Sequence, residues 1–370
     1  MTRIDPITLE VVRNALCTVT EEMGVNLQKS AYSSNIKTRL DFACAIFDEQ
    51  LRSIVQALHI PSLLGALVTR VPLAIREFGS ENLGPGDGIV TNDPYGGGTH
   101  LPDIALVTPV YCGSELFCYV TNVAHHQDIG GRSPGGVPGD ASDIHQEGLI
   151  IPPTKLVAGG RIKDDILKLL LANVRAPWER TGDYRAQIAA NELGARKVQE
   201  LVSKYGTDAL TTYMKELLNY TERRMRYTLQ RIPEGTYSAV DYLDSDGVTE
   251  SPVKIAVDLT LSGGEAIVDL SKSDKQRPGP MNCTAAPTFS AVMYVFKSLS
   301  DPDVPINDGL YRPIRIVSPE GLVVSAKPPA AIAGCWEVAM RVCDVIMRAL
   351  SRVIPERICA AGNGIICNVG

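Results

Sequence analysis

Leu9, Val12, Leu16, Val19, Met23 and Leu27 fall three and four positions apart, and Asp5-Pro6 precedes them. That spacing predicts one long helix with a single apolar stripe, Asp as its N-cap and Pro in its first turn. The stripe reads as core packing. Asp41–Phe47 then reads as a strand, with Leu51–Ala57 as its partner across an Asp48-Glu49-Gln50 turn. Ile104–Tyr111 and Glu115–Ala124 are rich in β-branched and aromatic residues and flank Cys112-Gly113-Ser114, the pattern of a β-hairpin. Two stretches, 83–103 and Gly130–Asp140, are dense in Gly, Pro and Asp and read as ordered loops. From Ile162 to Ile232 the pattern turns helical: Arg185–Tyr205 ends at a Gly206 break, and Thr207 caps a second helix through Met214, Leu218, Met225 and Leu229. These two predict an antiparallel helical hairpin. Strands return at Tyr237–Leu243, Val253–Leu261 and Glu265–Ser271, and Cys335–Val353 reads as a last helix.

The pattern is that of a mixed α/β (α+β) protein in three regions: a β-rich part at 1–160, a helical hairpin at 161–232 and a second α/β part at 233–370. The length allows two or three domains with ample core.

The hairpin converts spacing into geometry. The start of its first strand lies beside the end of its second. His100 and Asp103, just before the first strand, are therefore expected beside His125 and His126, just after the second. Two imidazoles and a carboxylate on one rim suit a divalent metal. Adjacent extended residues point to opposite faces, so His125 is taken as the ligand and His126 as a donor to substrate. All five histidines, His59 and His145 included, lie at or before position 145.

Other polar residues crowd the same segments. Asn92-Asp93-Pro94 forms a natural Asx-turn, with contact to substrate as the alternative. Asp128 follows the histidine pair closely enough to orient it. Asp140, Asp143, His145 and Glu147 close the stretch, and one of them would serve as general base. His59 sits among apolar neighbours and reads as a satisfied core histidine, with a place behind the metal ligands as the alternative. Asp41 starts another strand and reads as a turn or capping carboxylate, or as a fourth ligand.

Charge and composition narrow the field. The formal net charge is -6 and the basic residues are scattered, which argues against nucleic acid and anionic membranes as partners. No apolar run approaches the ~18–20 residues of a membrane span. The N-terminus has no apolar signal core, so Asn219 and Asn282 are expected to be idle as glycosylation matches. Nine cysteines, an odd number without a C-x-x-C pair, fit dispersed thiols in a cytoplasmic protein. There is no G-x-x-x-x-G-K-[ST]. The Tyr95–Thr99 glycines lack the strand-turn-helix setting of a dinucleotide fingerprint, so nucleotide binding by this chain alone is not expected. Gly131-Arg132-Ser133-Pro134-Gly135 matches a nucleophile elbow in letters only: Pro134 has no N–H to offer an oxyanion.

Thr91–Asp103 (TNDPYGGGTHLPD) resembles the signature of the hydantoinase B / oxoprolinase family. So do Asp41–Asp48 (DFACAIFD), His59-Ile60-Pro61, Ala124–Gly131 (AHHQDIGG) and Glu147–Leu156 (EGLIIPPTKL), in order along nearly the whole chain. The family includes subunits of ATP-dependent hydantoinases, 5-oxoprolinase, lactamases and acetone and acetophenone carboxylases. The resemblance implies a divalent metal (Zn, Mn or Fe) held by Asp41, His100, Asp103 and His125. It implies a hydantoinase A-type partner subunit, which uses ATP with Mg to phosphorylate the carbonyl oxygen of a cyclic amide (a hydantoin, 5-oxoproline or a lactam). The B-type subunit would complete hydrolysis, with His126, Asp128 or Glu147 moving protons. A ketone carboxylase subunit and a non-catalytic metal-stabilised scaffold are the alternatives. The family also continues past Cys367-Asn368-Val369-Gly370 into a Gly-rich region, so this chain is expected to be short relative to it.

Overall fold

A computed structural model describes residues 5–57 and 59–362; Cys367 and the chain's last residues lie outside the described residues. Helix α1 (Pro6–Ser30) forms as the stripe predicts, with the Asp5 carboxylate accepting from the Thr8 N–H at 2.9 Å. Helix α2 (Ser34–Lys37) leads into strands β1 (Phe42–Asp48) and β2 (Ser53–Gln56). Helix α3 (Pro61–Phe78) and strand β3 (Gly88–Thr91) precede the long hairpin of β4 (Asp103–Cys112) and β5 (Glu115–His125). Strands β6 (Thr154–Ala158) and β7 (Arg161–Ile162) complete one sheet of order β2-β1-β5-β4-β3-β6-β7, antiparallel throughout.

Helices α4 (Asp164–Ala172), α5 (Pro177–Tyr205) and α6 (Thr207–Gln230) follow. A second sheet, of order β11-β10-β9-β8, contains β8 (Gly235–Leu243), β9 (Val253–Ser262), β10 (Glu265–Asp269) and, after helices α7 (Ala285–Leu299) and α8 (Asp308–Tyr311), β11 (Ile314–Val317). Helix α9 (Cys335–Leu350) comes last. Among the described residues no helix is long and apolar enough to cross a membrane, and Cys17, Cys44, Cys112, Cys118, Cys283, Cys335, Cys343 and Cys359 are free thiols.

The first sheet is covered on both faces. Phe42, Cys44 and Ile46 of β1 join the core under α1, α5 and α6, while Ala43, Ala45 and Phe47 join the core under α3. A strand buried on both sides loses its period-two alternation, which is why this segment reads as one apolar run. β8, with one face open, keeps the alternation. α3 packs on α7, α7 on α9, and α9 on β8 and β9, so a stack of three helices joins the sheets. The close approach of α3 to α7 requires Gly65: a Cβ there would lie 2.7 Å from the Ser290 Cα.

Four local expectations need correction. The cap of α6 is Gly206, not Thr207; its φ of 82° both closes α5 and opens α6. α5 begins at Pro177, eight residues before Arg185, because proline at the first turn needs no partner for its missing N–H. α5 lies chiefly along α1, β4 and β5 rather than along α6. The 83–103 stretch contains β3, a strand of 4 residues that the surrounding Gly and Pro conceal. Helix α7 left no clear amphipathic signal because it is packed between layers and buried on most sides; α3 does carry a stripe, through Leu63, Leu64, Leu67, Val71, Ala74 and Ile75.

Gly65→Ala sets two effects against each other. Alanine is the better helix former by about 1 kcal/mol, but overpacking costs about 1–3 kcal/mol, and Ser290's backbone cannot swing aside as a side-chain tip does. The substitution is expected to lower the urea midpoint; an unchanged or raised midpoint would mean α3 and α7 separate freely.

Candidate metal centre

The hairpin register pairs Asp103 directly with His125, at the start of β4 and the end of β5. β1 lies on the other side of β5, and the His125 N–H donates to the Asp41 carbonyl at 2.9 Å. The Asp103 N–H donates back to the His100 carbonyl at 3.1 Å, a tight turn that folds His100 over the strand end. Asp103 therefore sits between two imidazoles: its Oδ2 is 2.7 Å from His100 Nδ1 and its Oδ1 is 3.1 Å from His125 Nδ1. The imidazole centroids are 4.9 Å apart. The Thr99 hydroxyl also donates to Asp103 Oδ2.

Asp103 and His100 are buried, whereas the His125 side chain keeps 17% of its surface open. Burial alone would raise the Asp103 pKa, but His100 and His125 hold its carboxyl well below the usual carboxylate range. Burial would lower His125, and the carboxylates of Asp103 and Asp41 outweigh it and raise it. Asp41 is raised by burial and by the Asp103 charge, against the pull of His125 and His100.

The glycine run before His100 serves close packing. Gly97 has a φ of +89° and its Cβ position lies 2.9 Å from the Arg70 backbone N of α3; a Cβ on Gly98 would fall on the Arg70 guanidinium. Arg70 is buried, and its Nη1 donates to the Asp103 carbonyl at 2.6 Å. Burial pushes Arg70 down to about 10, against the pull of Asp103 and Asp93.

The far side of the cluster comes from α9. Trp336 Nε1 donates to His100 Nε2 at 3.4 Å, and the indole meets the imidazole edge-on, centroids 5.3 Å apart at 86°. Glu337 follows it; burial raises its carboxyl and the His100 imidazole pulls the other way. Sequence reasoning missed Arg70, Thr99, Trp336 and Glu337. Thr99 lies inside the signature itself, and Trp336 is one of only two tryptophans, but nothing local connects α9 to the hairpin rim.

The remaining expected residues are spread around this centre. His126 points away from His125, into α5: its Nε2 lies 2.9 Å from Gln187 Oε1 and its ring packs on Tyr184. Burial pushes it down to about 4, so it is neutral. Asp128 accepts from the N–H groups of Gly130 (2.9 Å) and Arg175 (3.0 Å) and from the Arg175 guanidinium (2.9 Å), which pins the Gly130–Gly136 loop. Burial would raise its carboxyl, and these donors bring it below the ordinary value.

Glu147 is buried, and its Oε1 accepts from the Ile332 and Ala333 N–H groups at 2.7 and 2.8 Å, just ahead of α9. Its Oε2 has no partner, and burial raises the carboxyl to about 7. Asn92 is fully engaged: it donates to the carbonyls of Leu101 and Leu149 and accepts from the Ile151 N–H. Asp93 accepts from the Tyr95 N–H at 2.9 Å, an Asx-turn. His59 accepts from the Cys44 N–H at 3.2 Å, stands edge-on to Phe42 and is pushed down to about 4 by burial. His145 is exposed on a short turn.

Among the described residues, His100, Asp103 and His125 form a group whose ligand atoms lie within 4.8 Å of one another. A buried carboxylate between two imidazoles has the donor set and the negative charge that suit a divalent cation, so these residues fit a metal. Asp41 borders the group through the His125 backbone and its charge, but its carboxylate is outside that 4.8 Å group.

This fold is that of a known family: the model of the hydantoinase B/oxoprolinase family matches residues 5–370, and the chain belongs to it. The chain is 37% identical over 369 residues to an uncharacterised protein of Methanocaldococcus jannaschii, covering 99% of this chain and 65% of that one. It is 36% identical over 363 residues to the caprolactamase subunit beta of Pseudomonas jessenii, covering 98% and 62%. The crystal structure of the ATP-dependent caprolactamase from Pseudomonas jessenii superposes with a TM-score of 0.89 at 35% identity, over 96% of this chain and 62% of that one. A nucleotide-free acetone carboxylase structure shares the fold, with a TM-score of 0.88 at 20% identity over 95% and 48%. The chain thus spans under two thirds of the relatives it matches.

Glu147 makes a pH prediction. Its folded pKa of about 7 lies above the ordinary 4.5, so between these values the fold keeps a proton that the unfolded chain has shed. Stability should therefore fall as pH rises through that window. Glu147→Gln preserves the acceptor for Ile332 and Ala333 and cannot titrate. Urea midpoints of the wild type should decline relative to E147Q from pH 4.5 to pH 7; parallel curves would show that Glu147 ionises in the fold as it does in water.

Proposed function

We propose that this chain is the metal-bearing B-type subunit of an ATP-dependent cyclic-amide hydrolase. The observation that carries the reading is the His100–Asp103–His125 cluster, on a fold that matches an ATP-dependent caprolactamase at 35% identity. His100, Asp103 and His125 would hold the ion, with Asp41 as the adjoining fourth carboxylate. Bound there, a divalent cation would lower the pKa of water or polarise the substrate oxygen, and Zn, Mn and Fe all suit the mixed donor set.

The chain's own residues do the rest. Asp103 lies between the Nδ1 atoms of both imidazoles, the atoms that would turn to the ion with it. Trp336 covers His100 and keeps bulk water from one side of it. O-phosphorylation of the amide by a hydantoinase A-type ATPase partner would make its carbon a better electrophile. Water adding to that carbon would give a tetrahedral centre; breaking the C–N bond with a proton on the departing nitrogen would open the ring to an acyl phosphate, and a second water would release inorganic phosphate and leave the carboxylate. Among the expected proton carriers, Glu147 keeps a free Oε2 and a pKa of about 7, suited to giving or taking a proton. Asp128 is tied to Arg175, and His126 faces Gln187, so both act by holding the loop and α5 in place. Free thiols at every described cysteine support a reducing, cytoplasmic setting. The ketone-carboxylase alternative has behind it only a fold likeness at 20% identity.

Elemental analysis of the purified chain beside Asp103→Ala tests the centre. About one transition metal per chain, lost in the variant, is expected, as is loss of ATP-coupled lactam hydrolysis after reconstitution with an A-type subunit. Equal metal content in both proteins overturns the assignment.

A further inference from the structure

A cavity of about 480 Å³ opens between the start of α3, α7 and α9. Pro61, Pro287, Tyr294, Trp336, Met340 and Met347 are among its lining residues, and the 359–362 segment closes one side. Its size suits a small organic ligand, for which pockets run to about 300–1,000 Å³. Trp336 belongs to both places: it lines this cavity, and its Nε1 donates to His100 Nε2 at 3.4 Å. One indole therefore touches both the cavity and the cluster.

The wall also has a charge character. Among the described residues no lysine, arginine or histidine lines it, and the lining carboxylate, Asp344, is paired with Arg341 at 3.3 Å. The Ser290 hydroxyl is already committed to the carbonyls of Ser62 and Ala286. A ligand carboxylate against this wall would meet no cationic lining residue and would stand beside the Asp344 carboxylate; a methylene ring would lose nothing and gain apolar contact. The two methionines add walls that adapt to ring size.

We propose that this cavity is a binding site for the uncharged ring of a cyclic amide, beside the cluster and sharing Trp336 with it as a wall, and that it selects neutral lactams over carboxylate-bearing ones. The proposal rests on the cyclic-amide reading above, but its test requires neither metal, ATP nor partner.

In a Trp178→Phe background Trp336 is the sole indole; Trp178 lies on the surface, 73% exposed. Titration of that chain with an unsubstituted seven-membered lactam should give a saturable change in emission. 5-Oxoproline should bind at least about tenfold more weakly, the equivalent of about 1.4 kcal/mol. Tyr294 is 48% exposed, so Tyr294→Arg should fold, and it places a cation at the wall. It is expected to weaken the neutral lactam and strengthen 5-oxoproline; Met340→Leu, which keeps the wall apolar, should leave the order of the two ligands unchanged. Equal binding of both ligands, no emission change with either, or a Tyr294→Arg chain indistinguishable from its parent overturns the subsite. A chain that binds the lactam but carries no metal would instead sink the metal-centre reading and leave the cavity assignment standing.

Discussion

Asp103 is a buried carboxylate held between two imidazoles, and its own carbonyl is gripped by the buried guanidinium of Arg70. A charge left unpaired in such surroundings costs several kcal/mol, so the position is tolerable only if His100, His125, Thr99 and Arg70 all arrive together. Each comes from a different local device. His125 arrives by strand register, His100 by the tight turn ahead of β4, and Arg70 by the docking of α3 under the glycine run. Gly97 and Gly98 let the loop backbone touch α3, and no side chain at Gly98 would leave room for Arg70.

The second half of the chain completes the site. Glu147 reaches from the loops of the first sheet to the N–H groups of Ile332 and Ala333, and the next residues begin α9. That junction sets Trp336 against His100 and Glu337 within its electrostatic reach. The α3–α7–α9 stack supports the same junction from below, which makes the Gly65–Ser290 contact a matter of site geometry as well as stability. The His100–Asp103–His125 cluster thus lies where the two sheets' helices meet, and the apolar cavity beside Trp336 is a product of that meeting.

Legibility in the sequence followed the physics of exposure. α1 showed a clean stripe because one face packs on the sheet and α5 while the other meets solvent. The β4–β5 hairpin showed its bounds within one residue at the ends that matter, since β-branched runs on either side of a short turn have few alternatives. α7 was silent because a helix sandwiched between layers has no polar face to mark its period. Asn92 and Asp93 stood out as polar residues in a rich loop, yet the fold uses them to close turns and tie the 92–101 and 149–151 segments together.

By itself the sequence determined the hairpin rim, because strand register is a local consequence of pattern and turn length; this placed His100, Asp103 and His125 together before any coordinate was known. It also determined the family, through the long run from Thr91 to Asp103. Only the tertiary structure decided what surrounds that rim. Arg70, Glu337 and Trp336 lie 33, 234 and 233 positions from Asp103, and contacts at such separations depend on how whole layers stack. The same holds for the opposite fates of His125 and His126: pattern says that they diverge, but the packing of α5 against the sheet is what turns one imidazole into a satisfied buried group and leaves the other at the metal rim.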